Sequence, residues 1–149
     1  MRKTYFLVRV LIIYLFFISS GFTAKSSYFD KGKIFFDQKN FEKSKIFFER
    51  DIVFNPLSEK SYLYLAKIFY EGDNDQEQEI NLQNVLLLNP QNDEAIYMLA
   101  LLKIKQSDYN AAKELIEKFN LVCKSFCSNR AEMQEKFDKL VPENARDNN

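Results

Sequence analysis

Apolar residues recur along this chain with helical spacing, in short blocks that come in pairs. Tyr62, Leu65, Ile68 and Phe69 fall on one helix face, as do Leu82, Val85 and Leu86, with Leu88 less squarely placed. Ile96, Leu99 and Ala100 continue the pattern until Lys103 turns the last place polar. Within each pair the blocks are separated by a polar turn, at residues 37–40, 71–74 and 105–108. Between pairs stands an Asn-Pro mark, first Asn55-Pro56 and then Asn89-Pro90. The pattern predicts helix–turn–helix units with a period of about 34 residues, at 25–58, 59–92 and 93–126. A third mark would put Pro at position 124, where Lys124 stands.

The small residues Gly32, Ala66 and Ala100 also recur at this period, where the helices of a pair must approach closely. Phe41 and Tyr109, one residue past the first and third turns, read as rings that pack each second helix onto its first. Asp75 holds that place in the second unit, which predicts a looser turn there. Beyond the units, residues 127–141 predict a capping helix. Asn129 followed by Glu132 offers a capping box, and Met133, Phe137, Leu140 and Val141 form an apolar stripe on a charged helix. Pro142 should stop it, and the polar tail 142–149 has little to bury and should be disordered.

Tyr28, Gly32, Phe35, Ser44, Phe48 and Pro56 of the first unit line up with Tyr62, Leu65, Ala66, Phe69, Leu82, Val85 and Pro90 of the second. Ile96, Leu99, Ala100, Ala112 and Ile116 align from the third. On these residues the array resembles the tetratricopeptide repeat family, with Lys31, Asp51, Gln78, Lys103, Phe119 and Lys124 departing from its pattern. The resemblance implies an all-α fold, a right-handed α-solenoid of about three helix pairs plus the capping helix, and stability drawn from neighbouring units. It also implies a concave groove lined by the first helix of each unit. Carried over, the groove places hold Ser26, Phe29, Lys33, Phe36 and Asp37; then Lys60, Leu63, Lys67, Tyr70 and Glu71; then Glu94, Tyr97, Leu101, Ile104 and Lys105. Rings, aliphatics and Lys33, Lys60 and Lys67 together suit a protein or peptide segment with apolar anchors and some acidic groups. The Asn places used by family members that grip a chaperone's C-terminal carboxylate are not matched, so that role is not implied.

Composition narrows the chemistry. The chain has 149 residues, 46% of them apolar, with 15 Phe, 8 Tyr and three each of Gly and Pro, which fits helices and a packed core. It contains no His, which removes imidazole bases, His-paired nucleophiles and His metal ligands together. Residues 1–24 have a secretory-signal layout: Arg2, Lys3 and Arg9, an apolar run at 10–18, then small residues around Gly21. The run 10–22 is short for a membrane span, though retention as an anchor is the alternative to cleavage. Removing Arg2, Lys3 and Arg9 would leave 18 basic groups against 21 acidic ones, which argues against a nucleic-acid partner.

Two features could carry chemistry. Cys123 and Cys127 are the only cysteines, close in sequence at the join between the third unit and the cap. In an oxidising compartment they suit a structural disulfide worth about 2 kcal/mol, with a redox dithiol as the alternative. Asp73, Asp75, Glu77 and Glu79 alternate as calcium ligands do, yet Gln78 and Asn84 stand where that loop needs Gly and Glu. The reading is therefore an exported, non-enzymatic interaction module in a bacterial periplasm, or anchored facing it, with no cofactor or metal and membrane contact only through an uncleaved N-terminal segment. A thiol-disulfide redox protein is the alternative.

Overall fold

A computed structural model describes residues 27–140. The signal-like segment 1–24, the groove place Ser26, Val141 of the predicted stripe, Pro142 and the tail lie outside the described residues. Within them the chain folds as α1 (Ser27–Asp37), α2 (Phe41–Phe54), α3 (Glu59–Glu71), α4 (Asp75–Leu88), α5 (Asp93–Lys105), α6 (Tyr109–Val122), a 3-10 turn at Cys127–Asn129 and α7 (Arg130–Leu140). Helices pack closely within the pairs α1/α2, α3/α4 and α5/α6, and each pair packs on the next. The result is an all-α solenoid stacked along one dimension.

The turns inside the pairs are copies of one another, because each ends its helix with the same pair of backbone hydrogen bonds. The N–H groups of Asn40, Asn74 and Asp108 donate to the carbonyls of Phe35, Phe69 and Lys103 at 2.8, 2.9 and 2.9 Å. One residue earlier, Lys39, Asp73 and Ser107 take φ of 57°, 50° and 62° and donate to Phe36, Tyr70 and Ile104. The side chains of Asn40, Asn74 and Asp108 then cap the following helix, accepting from the N–H of Lys43, Glu77 and Ala111. The second turn is as closed as the others, so the looser turn expected at Asp75 is not found. Asp75 instead receives Lys105 Nζ at 2.7 Å. Lysine carries a steric cost in the left-handed region that glycine does not, so Lys39→Gly is expected to raise stability by about 1 kcal/mol. Asp73→Gly should gain less, and the two urea midpoints check this order.

Gly32 shows why the small residues matter. A Cβ there would lie 2.7 Å from the ring of fully buried Phe48, and the Gly32 carbonyl accepts from Ser44 Oγ at 2.8 Å. Phe48 forms the first core with Leu65 and Ile68. A second core joins Leu63, Ala66, Leu82 and Val85 to Ala95, Leu99 and Leu102, and a third runs from Ile96 through Phe119 to Met133 and Phe137.

The repeat register continues past the third unit. Met133 holds the place that Leu65 and Leu99 hold in the second and third units, and all three are buried; α7 packs on α5 and α6 as the first helix of a further unit would. Its entry differs from the expected capping box: a 3-10 turn leads in, and Asn129 Oδ1 accepts from Ser128 Oγ. Leu140 is exposed, so within the described residues the stripe reduces to Met133 and Phe137. Among those residues no helix is long and apolar enough to cross a membrane.

Candidate functional site

The face built by α1, α3 and α5 is where the groove places converge, but they divide into three kinds. Phe29 and Phe36 are half-buried in a ring cluster centred on Tyr64, at centroid distances of 5.6 and 5.0 Å. Lys60 Nζ lies 6.0 Å from the Phe29 ring, and Lys67 Nζ lies 4.9 Å from that of Tyr64. Two of the three lysines already have carboxylate partners: Lys33 meets Asp37 at 2.7 Å and Lys67 meets Glu94 at 2.7 Å. Leu63 corrects the sequence expectation, since it is only 8% exposed and belongs to the core between the second and third units. Tyr64, one residue on, faces the rings in its place. A one-residue offset is a rotation of about 100° on a helix, which spacing within a single unit cannot fix.

At the other end, α7 changes the face. Tyr97 is half-buried between Phe119 and Phe126, and burial together with Glu132 of α7 raises its pKa above the ordinary value. Between α3, α5 and α7 lies a cleft of about 490 Å³ with Tyr70, Tyr97, Met98, Leu101, Lys105 and Lys136 among its lining residues. Tyr70 is 60% exposed at this cleft. Gln78, which breaks the repeat pattern in sequence, also lines it, and the residue is buried. Ile104 lines it too, buried rather than presented, while Leu101 is half-buried and Glu71 exposed. Lys136 is paired with Glu132, which raises its pKa. The cleft is thus apolar in its walls, with its cations partly neutralised.

The acidic run serves α5. Lys105 meets Asp75 at 2.7 Å and Asp73 at 3.5 Å, while half-buried Lys103 donates to Glu79 at 2.6 Å. The Lys103 hydrogen bond holds Glu79 below its ordinary pKa against the opposing effect of burial. Lys103, a departure from the repeat pattern, therefore has a specific partner in the preceding unit.

The unit boundaries are fastened by carboxylates the sequence reading missed. Asp51 is buried and accepts from Ser58 Oγ and Ser61 Oγ, both at 2.6 Å. Glu59, at the start of α3, accepts from Asn89 and Asn92 in the loop that ends its own unit. Asp93, at the same place in the next unit, accepts from the N–H groups of Lys124, Ser125 and Phe126 at 2.7, 2.6 and 3.0 Å. Burial opposes ionisation of Asp93, but those N–H groups and that of Glu94 outweigh it and place its pKa below the ordinary value. Beside this clasp Cys123 and Cys127 form a disulfide with Cα atoms 5.3 Å apart, and Arg130 Nη2 donates to Cys123 Sγ. The recurrence of an acid at positions 59 and 93 was the available signal.

This geometry has clear structural counterparts. The first repeat domain of Spaghetti (RPAP3) bound to the HSP90 peptide SRMEEVD superposes with a TM-score of 0.70 at 13% identity, over 82% of this chain and 100% of that one. The Sgt2 repeat domain from Aspergillus fumigatus gives 0.66 at 15% identity, over 78% and 82%. The fold is a tetratricopeptide-repeat solenoid. A chain of the CopN–Scc3 complex matches the same repeat fold at 0.62 and 14% identity, over 76% of this chain and 67% of that one. No protein-family description matches the sequence, and no curated protein does.

Proposed function

We propose that this repeat solenoid is an exported, non-enzymatic module that binds a protein or peptide segment along the face of α1, α3 and α5, as an adaptor or assembly scaffold in the cell envelope. The observation that carries the reading is the cleft beside α7. Its apolar walls and exposed Tyr70 suit an apolar side chain of the partner. Phe29 and Lys60 extend the contact towards the first unit, with Lys33, Phe36 and Lys67 behind them. The repeat domain of Spaghetti, solved with a peptide, supports the choice of partner class. The signal-like residues 1–24 and the bonded Cys123 and Cys127 support export to an oxidising compartment such as a bacterial periplasm.

The test places a photo-crosslinking residue at position 70 and, as control, at position 121 on α6, in the native envelope. A partner segment crosslinked only from 70 is the expected result. Tyr70→Ala and Tyr97→Ala should then each weaken binding of that purified segment by about tenfold or more. Equal crosslinking from both positions, or unchanged affinity in both variants, would overturn the assignment.

A further inference from the structure

The first unit has an edge that the later units bury. Ile68 and Leu102 pack against the unit before them and are 7% and 3% exposed; Ile34, at the same register place, is 55% exposed. Around it the rings of Phe35 and Phe47 stack at 5.4 Å, and Tyr28 stacks on both Phe47 and Phe54, which is itself 70% exposed. None of these four rings belongs to the three cores.

The place that holds buried Leu65 and Leu99 in the later units holds exposed Lys31 in the first. Its Nζ sits 6.0 Å from the Phe47 ring centroid, and Lys43 Nζ sits 5.5 Å from that of Phe35. A lysine at the centre of this edge disfavours stacking of another repeat unit, because its ammonium group would be buried unless that unit supplied a carboxylate. Aromatic rings interleaved with lysines, apolar in body and cationic at the tip, instead match a bilayer interface carrying anionic headgroups. Asp30 lines a separate cleft, with Lys60 and Asn55.

The chain itself brings such a surface close. The apolar run 10–22 ends five Cα steps before Ser27, a reach of at most about 18 Å. We propose that, in the chain that keeps its N-terminal segment in the bilayer, the edge formed by Ile34, Phe35, Phe47 and Phe54 lies on the anionic membrane surface, held by Lys31 and Lys43. The groove then points along the membrane rather than into it. This extends membrane contact beyond the N-terminal segment, and it uses a surface distinct from the partner-binding face, so either assignment can fail alone.

The full chain, reconstituted into vesicles of phosphatidylcholine with or without phosphatidylglycerol, supplies the test. Ile34→Cys or Phe54→Cys is labelled with a membrane-impermeant maleimide, with the native disulfide intact and Leu121→Cys at the far end of the array as the accessibility standard. In anionic vesicles labelling at 34 and 54 should be about tenfold slower than at 121. The protection should shrink in neutral vesicles, at high salt and in Lys31→Glu/Lys43→Glu. Equal rates at all three positions would overturn the proposal. Protection that rises with the protein-to-lipid ratio would assign the edge to a second copy, and protection indifferent to lipid charge and to both lysines would assign it to the chain's own N-terminal segment; either result also overturns it.

Discussion

Gly32→Ala is expected to lower the unfolding free energy by about 2 kcal/mol, even though alanine is the better helix former by about 1 kcal/mol. The added Cβ falls 2.7 to 3.0 Å from three atoms of the Phe48 ring. That ring cannot swing aside: it is fully buried, with Phe29 and Tyr64 at centroid distances of 5.6 and 5.1 Å. Either the two helices separate or the ring leaves its position, and both disturb the first core. Phe48→Ala, which empties the same space, should cost about 4 kcal/mol. The decisive comparison is the double-mutant cycle: in a Phe48→Leu background the clash is relieved, and Gly32→Ala should become neutral or stabilising. Gly72→Ala is the control, because a Cβ there meets nothing closer than 3.6 Å and the backbone has φ of −95°. It should leave the urea midpoint unchanged or raise it. A Gly32→Ala variant as stable as the parent chain would show that the helices of the first pair are less tightly joined than described.

The second large effect concerns the join to α7. Asp93→Ala removes the acceptor of three backbone N–H groups and should cost about 2 kcal/mol at neutral pH. Because the folded-state pKa of Asp93 is depressed, its contribution is complete above the ordinary carboxylate pKa of about 4 and is lost as pH falls through the lower folded value. The difference between the parent chain and Asp93→Ala should therefore close in acid melts below about pH 4 and remain constant between about pH 5 and 8. Reduction of Cys123 and Cys127 should remove a further contribution of about 2 kcal/mol on the chain-entropy argument. Releasing both fasteners together should cost more than the sum of the two single losses, since each limits the freedom the other would have to restrain. Because α7 forms one wall of the cleft, the doubly released protein should also lose affinity for the partner segment. Rapid exchange with glutathione and no change in melting temperature on reduction would instead favour the redox alternative.

Much of this architecture could be read from the chain, because a fixed repeat period is a one-dimensional property and each unit repeats its own local chemistry. The helix limits at Asp37, Glu71 and Lys105 and the closely packed Gly32 follow from turn signals and residue size. What could not be read depends on how one unit is rotated and displaced against the next. Lys103 looked like a defect in an apolar stripe because its partner Glu79 lies on a different helix. Asp51 looked like a wrong residue at a small place, yet Ser58 and Ser61 were in the sequence as its donors. Leu63 and Tyr64 exchange roles relative to the family's groove pattern, because rings as large as Phe29 and Phe36 select which side chain of α3 meets them. At the third boundary the sequence offers the Cys pair as a structural disulfide; Asp93 adds a clasp there by accepting from backbone groups, which leave no trace in residue identity.

Glu59 and Asp93 have one more implication, for how such a chain could change in length. Each acid begins a unit and clasps the loop that closes the same unit, so residues 59–92 carry their own latch and need none from a neighbour. A tandem duplication of that segment, placed before residue 93, would bring its latch with it and present the same face to the following pair. The growth point of the array therefore lies inside it, between the edge of the first unit, where Lys31 disfavours stacking, and α7, whose exposed side carries the Glu135–Lys139 pair.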